Sequence, residues 1–278
     1  MQKKDKPHNS MLFQRTIKKP ITIKGIGLHT GLPQEIKVLP VKANSGISFN
    51  GKRLSIESVQ AESGFTKMGA ILTIEHLLSA LTGLLIDNAA IYTKGTEIPI
   101  LDGSALTFVK LLDPIELNVE RHFIRVLRPV WFEDEFARVG LLPSEKQIYD
   151  VEINYSDTPA IGIMKERFEL TEKAYRDHIA PARSFARMSD LEFLQAHGKA
   201  LGASLDTGLA VVGDKILNPE GLRNPSEFVR HKILDAIGDM TTAGNTLLAE
   251  YRSIKGGHYH NNMLLKLLFL NPDNYQVF

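Results

Sequence analysis

Apolar and polar positions alternate in short runs from 11 to 49, with Ile21 and Ile23 and then Ile36 and Val38 on one face, broken by Gly25, Gly27, Gly31 and Pro33. A period of two interrupted by turn formers predicts antiparallel strands joined by tight turns. The period changes over 71–85, where Leu77, Leu78, Leu81 and Leu84 fall on one helical face, Thr73 stands as N-cap and Gly83 lies near the end. A strand over 89–92 follows, then a turn around Ile98, Pro99, Asp102 and Gly103, and a second helix over 108–112. A polar, charged passage from 113 to 121 leads into a new series of strands at 124–132, 137–142 and 149–155. Beyond it the pattern predicts an amphipathic helix near 189–197 and a small-residue strand region over 201–212. The clearest helix opens at Asn224, where Asn as N-cap, Pro225 at the first helical position and Glu227 at the third agree. Val229, Ile233, Ala236, Ile237 and Met240 make its buried stripe, and Gly244 ends it.

Both halves place strands first and helices later, so the chain reads as α+β, two similar sheet-plus-helices domains at 11–118 and 122–278. Its 278 residues, 43% of them hydrophobic, suffice for a real core and exclude a disordered chain. Lys+Arg 33 against Asp+Glu 32 leaves a net charge of +1, which gives no bulk attraction to nucleic acid or to an anionic membrane. The absence of cysteine excludes disulfides, thiolate nucleophiles and Cys-ligated metals, so a metal would need His and carboxylate. The first ten residues are basic and polar with no apolar run behind them, a loose tail rather than a signal peptide, and the expected location is cytoplasmic. The apolar run 263–270 is short and interrupted by Lys266, so no transmembrane segment is expected and any lipid contact should be peripheral.

His231, Asp235 and Asp239 recur every four residues on the best-marked helix. A His and an Asp one turn apart make a two-point clamp for an ion, and equally an ordinary His–Asp pair on a solvated face, so a third ligand is required. Glu75-His76 at the start of the other apolar helix can supply it, although Glu75 also reads as a first-turn carboxylate favoured by the helix dipole. No second His follows at HExxH spacing, so a site here would be assembled from separated segments. In KGGHYHNN, His258 follows two glycines near Lys255, where it reads as a general acid or as a loop His before the last helix. GIGLHTG lacks the context of a phosphate loop and reads as a tight strand connection. Ser184 in APARSFA lacks a nucleophile elbow.

Taken together and in order, GIGLHTG, TIEHLLSAL, EIPILDGSA, ARSFA, EFVRHKILDAIGD and KGGHYHNN closely resemble the zinc-dependent UDP-3-O-acyl-N-acetylglucosamine deacetylases of lipid A biosynthesis, over nearly the whole chain. The resemblance implies a β-α-α-β sandwich with a small insert in each domain, the second around 187–213, and an active site between the halves. It implies zinc held by His76, His231 and Asp235, Glu75 as general base, His258 as general acid and Asp239 orienting His258. Lys232 would stand at the substrate end of the site, the Ser184 hydroxyl at the oxyanion, Lys255 at the diphosphate and Phe185 against the substrate head. Residues 191–210, with Leu191, Ala200, Ala203 and Ala210, would line the acyl passage. The implied reaction is hydrolysis of the N-acetyl group of UDP-3-O-acyl-N-acetylglucosamine, releasing acetate. Ser184 stands where the family usually has Thr, and Arg187 where many members carry an apolar residue. A metal amidohydrolase for another acetamido sugar, and an inactive nucleotide-sugar-binding protein, are alternative readings of the same scaffold.

Overall fold

The computed structural model describes residues 12–62 and 64–278; the expected amino-terminal tail lies outside them. Six α-helices are described: α1 (Glu75–Gly83), α2 (Leu106–Leu111), α3 (Glu172–Ala174), α4 (Met188–Ala196), α5 (Glu227–Met240) and α6 (His258–Leu270). The first half forms a five-stranded sheet in the order Ile21–Ile26, Pro33–Leu39, Ala89–Thr93, Ile47–Phe49, Lys52–Arg53. In the seven-stranded sheet of the second half the hub is Thr246–Ile254. It pairs antiparallel with Arg138–Pro143 and parallel with both Gln147–Tyr155 and Phe123–Val126.

The sheets are two-faced, as the alternation demands: in Pro33–Leu39 the side chains of Gln34, Ile36 and Val38 are buried. Their apolar faces close over the helices. Every residue of α1 except Thr82 is buried, so this helix has neighbours all round. α5 packs on α1 and on the strands Gln147–Tyr155 and Gly162–Glu169. One continuous core runs from Ile36 and Val38 through Leu77 and Leu81 to Ile233, Ile237 and Leu264, giving the expected β-α-α-β arrangement. Each half also carries a small insert. The first is the hairpin of Val59–Glu62 and Phe65–Met68; the second joins α4 to a sheet of Phe185–Arg187, Leu209–Val212 and Lys215–Ile216.

Several expected boundaries move. Thr73 does not cap α1: it lies at φ 59° and its hydroxyl donates to Glu97, 3.0 Å away. α5 begins at Glu227, not after Asn224, because Asn224 forms a turn with Ser226 and Glu227 turns its carboxylate to Arg183 and the Arg223 amide. The passage 113–121 contains the strand Pro114–Glu120, paired with Phe13–Ile17; its half-exposed outer face made it read as linker. The strand expected over 124–132 is two, Phe123–Val126 and Val130–Glu133. Of the region 201–212 only Leu209–Val212 is a strand. His258 is the first residue of α6 rather than a loop residue.

Candidate metal centre and acid–base pair

The site depends on how closely two helices approach. A Cβ built on Gly238 of α5 would lie 2.1 Å from the carbonyl oxygen of Glu75, so only glycine lets α5 touch the first turn of α1. That contact sets His76 beside His231 and Asp235. His76 Nε2 and His231 Nε2 stand 3.5 Å and 3.4 Å from Asp235 Oδ1, and the three potential ligand atoms lie within 4.8 Å of one another. All three residues are buried. The Ala182 carbonyl lies 3.1 Å from His231 Nδ1; with the proton on that nitrogen, the Nε2 lone pair faces Asp235.

The residues fit a metal ion. Asp235 Oδ1 is buried and has no hydrogen-bond partner among the described residues, an arrangement that is costly for a carboxylate unless a cation meets it. Burial opposes the charge on Asp235, yet His231 and Lys232, whose Nζ lies 3.0 Å from Oδ2, hold this carboxyl well below the usual range. Burial pushes His231 down to about 3, against the pull of Asp235, which leaves the neutral imidazole that metals bind. Two imidazoles and one carboxylate form a three-ligand set that leaves a coordination position free.

A second group of polar residues adjoins the first. Asp239 Oδ2 meets His258 Nδ1 at 2.8 Å and accepts from Asn261 Nδ2 at 2.8 Å, while its Oδ1 accepts from the Thr66 hydroxyl at 2.6 Å. The other ring nitrogen of His258 points to the cluster, 4.0 Å from Asp235 Oδ2. Burial disfavours the imidazolium, but Asp239 outweighs it and raises His258 to about 9. Glu75 shows the opposite balance. Its Oε2 accepts from the Thr66 amide at 3.0 Å, and burial pushes the carboxyl up to about 7 despite His258 and His76. A carboxyl that is half ionised near neutrality and an imidazole still protonated there can serve as a base and an acid on one site.

The family profile of the UDP-3-O-acyl N-acetylglycosamine deacetylases matches residues 14–270. The chain belongs to that family. Proteins named UDP-3-O-acyl-N-acetylglucosamine deacetylase in Sulfurovum sp. (strain NBC37-1) and Phenylobacterium zucineum (strain HLK1) are 40% and 38% identical to it. The alignments cover 95% and 96% of this chain and 94% and 96% of those proteins. A protein of the same name in Campylobacter jejuni (strain RM1221) is 38% identical over 95% of this chain and 94% of its own length.

Around the His76–His231–Asp235 cluster of this deacetylase-family chain, the Lys232 ammonium lies 5.7 Å from the centre of the Phe185 ring, which stands edge-on to Phe228 and His231. Ser184 is clamped by its backbone, donating to Gly103 and accepting from Leu209 at 2.7 Å each. Lys255 is exposed at φ 60°, its amide on the Glu152 carbonyl. Leu191 is half-buried on α4, and Ala210 is half-buried in the strand beside Ala186. Ala200 and Ala203 belong to a strap laid over the GIGLHTG loop: the Leu201 and Gly202 amides donate to the carbonyls of His29 and Leu28. A Cβ on Gly202 would strike the Gly27 carbonyl at 2.3 Å. The loop is therefore a seat for the insert as well as a strand connection. Arg187 pairs with Asp190 and Asp157.

Three supporting residues escaped the sequence reading. Glu97, fully buried, accepts from the His29 and Thr30 amides and from the Thr30 and Thr73 hydroxyls, and so fixes that loop. Arg183 is buried against Glu227 and also pairs with Glu220, which anchors the segment bearing the Ala182 carbonyl. Asn261 completes Asp239 and accepts from the Tyr251 hydroxyl at 2.6 Å. A charged residue inside an apolar motif, as in "EIPIL" and "PARSFA", was the available signal.

Proposed function

We propose that the protein is a zinc-dependent deacetylase that hydrolyses the N-acetyl amide of UDP-3-O-acyl-N-acetylglucosamine, releasing acetate, as a cytoplasmic step of lipid A biosynthesis. One observation carries this reading: Glu75 and His258 stand buried on a His76–His231–Asp235 cluster whose carboxylate oxygen Oδ1 lacks a hydrogen-bond partner among the described residues. A zinc ion held there would supply Lewis acidity, polarising the amide carbonyl and making water a stronger acid. Glu75 takes the proton of the water that attacks the acetyl carbon. His258, kept protonated by Asp239, gives its proton to the sugar nitrogen as the C–N bond breaks. The products are acetate and a free amine. Ser184 and Lys232 are the residues we assign to the developing oxyanion; lacking a β-branch, Ser184 holds its hydroxyl less firmly than Thr would.

Lys255 is assigned to the diphosphate, Phe185 to the sugar face, and Leu191, Ala200, Ala203 and Ala210 to the acyl passage. Phe193 and Leu201, 64% and 53% exposed, add apolar surface on the same insert, which suits a lipid-bearing substrate and a peripheral approach to membrane. Among the described residues no helix is long and apolar enough to cross a membrane. We place the division between the two domains near 118–122, where the chain passes from the strand paired with Phe13–Ile17 into the second sheet.

The test is deacetylation of the UDP-linked substrate with and without its O-acyl chain. Each buried methylene is worth about 0.8 kcal/mol, so removing the chain should raise KM steeply. Ala203→Trp should erase much of that preference while zinc content and folding stay intact. Equal kcat/KM for both substrates in the wild type would overturn the lipid-bearing substrate and favour another acetamido sugar.

A further inference from the structure

A cavity of about 390 Å³ opens at the opposite end of the α1–α5 pair from the metal cluster. Thr82 and Leu85 line it beside the end of α1, and Ile237, Met240 and Thr241 at the end of α5, and no residue of the metal cluster or acid–base pair reaches it. Its size is that of small-molecule pockets. Much of the wall is apolar, with Ile47, Leu54, Ile86 and Leu247 on it.

Its polar wall divides into a closed part and an open part. Gln14, Asn44 and Asn88 bond one another: Gln14 Nε2 donates to Asn44 Oδ1 at 2.7 Å and Asn88 Nδ2 to Gln14 Oε1 at 3.0 Å. Asp87 is neutralised by Arg121, 2.7 Å away, and also accepts from the Arg15 amide. Two further donors on this wall bear on a ligand. Gln147 is 3% exposed, yet its amide nitrogen has no hydrogen-bond partner among the described residues. Such a buried donor is costly unless an acceptor meets it. Arg53, on the same wall, makes no ion pair among the described residues, and its guanidinium lies over Gly46, where a Cβ would be 3.0 Å from Nε.

We infer that this cavity binds a small amphiphilic monoanion, an aliphatic carboxylate whose tail fills the apolar wall and whose head meets Arg53 and the Gln147 amide. A single guanidinium without an ion pair among the described residues suits one carboxylate better than a multiply charged phosphate.

Octanoate is the probe, titrated calorimetrically into the full metal-loaded chain, with octanol and inorganic phosphate as comparisons. Octanoate should bind, and octanol and phosphate at least about 10-fold more weakly. Arg53→Gln, an exposed change that leaves the core alone, and Gln147→Leu, which keeps the side-chain bulk, should each weaken octanoate about 10-fold. Neither should change kcat/KM for deacetylation. Absence of octanoate binding, or equal binding of octanol, overturns the site. If affinity survives both changes and is lost in Ala203→Trp, octanoate sits in the acyl passage and the inference is equally overturned.

Discussion

Asp235 and Asp239 stand one turn apart on the same helix, 5% and 3% exposed, and differ in almost everything around them. Asp239 has donors on both oxygens, drawn from the first insert hairpin and from α6. Asp235 has Lys232 on one oxygen and, on the other, two imidazoles too distant to bond. Helical periodicity alone makes the two residues equivalent; elements far away in the chain make one a saturated brace and leave the other an open carboxylate. A buried carboxylate that is fully hydrogen-bonded can hold an imidazolium, whereas one left short of partners calls for a cation.

The sharpest way to break this contrast is Asp235→Asn. Even partners outside the first ring of metal ligands are worth 10–100-fold, so loss of a ligand carboxylate should cost more than ~10²-fold in kcat/KM. Elemental analysis after dialysis should find the metal gone as well; retained metal would remove the distinction between the two aspartates. Glu75→Gln comes next, with metal kept and kcat down on the order of 10²-fold or more. Loss of metal there would make Glu75 a ligand.

Asp239→Asn acts through His258, so its signature is the pH profile. In the wild type the rate should rise as Glu75 loses its proton, near 7 in the metal-free chain and lower beside a dication, and fall as His258 loses its own near 9. Removing the negative partner makes the imidazolium easier to deprotonate. The alkaline limb should therefore move to lower pH, by roughly one pH unit or more, with metal content unchanged. An unmoved limb would mean that Asp239 does not set the His258 charge. The smallest effect is expected from Arg183→Lys, which loses the fork to Glu227 and loosens the Ala182 carbonyl on His231. Metal affinity, read by chelator competition, should weaken by about 10-fold, and turnover at saturating metal should hardly change.

The i, i+4 pattern of His231, Asp235 and Asp239 was legible in the sequence because a helix maps spacing directly onto direction. What separates their roles was not. It rests on Thr66, Asn261 and Ala182, whose local sequence carries no sign of the partner they meet. The hub strand Thr246–Ile254 was missed for a related reason: Leu247, Leu248 and Ala249 are buried in succession, so its opening shows no alternation. At Asn224 the local capping signals were strong, yet the buried Arg183–Glu227 pair outweighs a capping box that would bring Glu227 back over the N-cap.

The seat of Gly202 on Gly27 joins residues from opposite halves of the chain by backbone contact alone. No local pairing leads up to it, and closing so long a loop costs entropy that a few hydrogen bonds cannot offset until both sheets are in place. The Gly202–Gly27 contact is therefore expected to close late and to open early. During synthesis α1 and α5, which carry His76, His231 and Asp235, can assemble while this contact is still open.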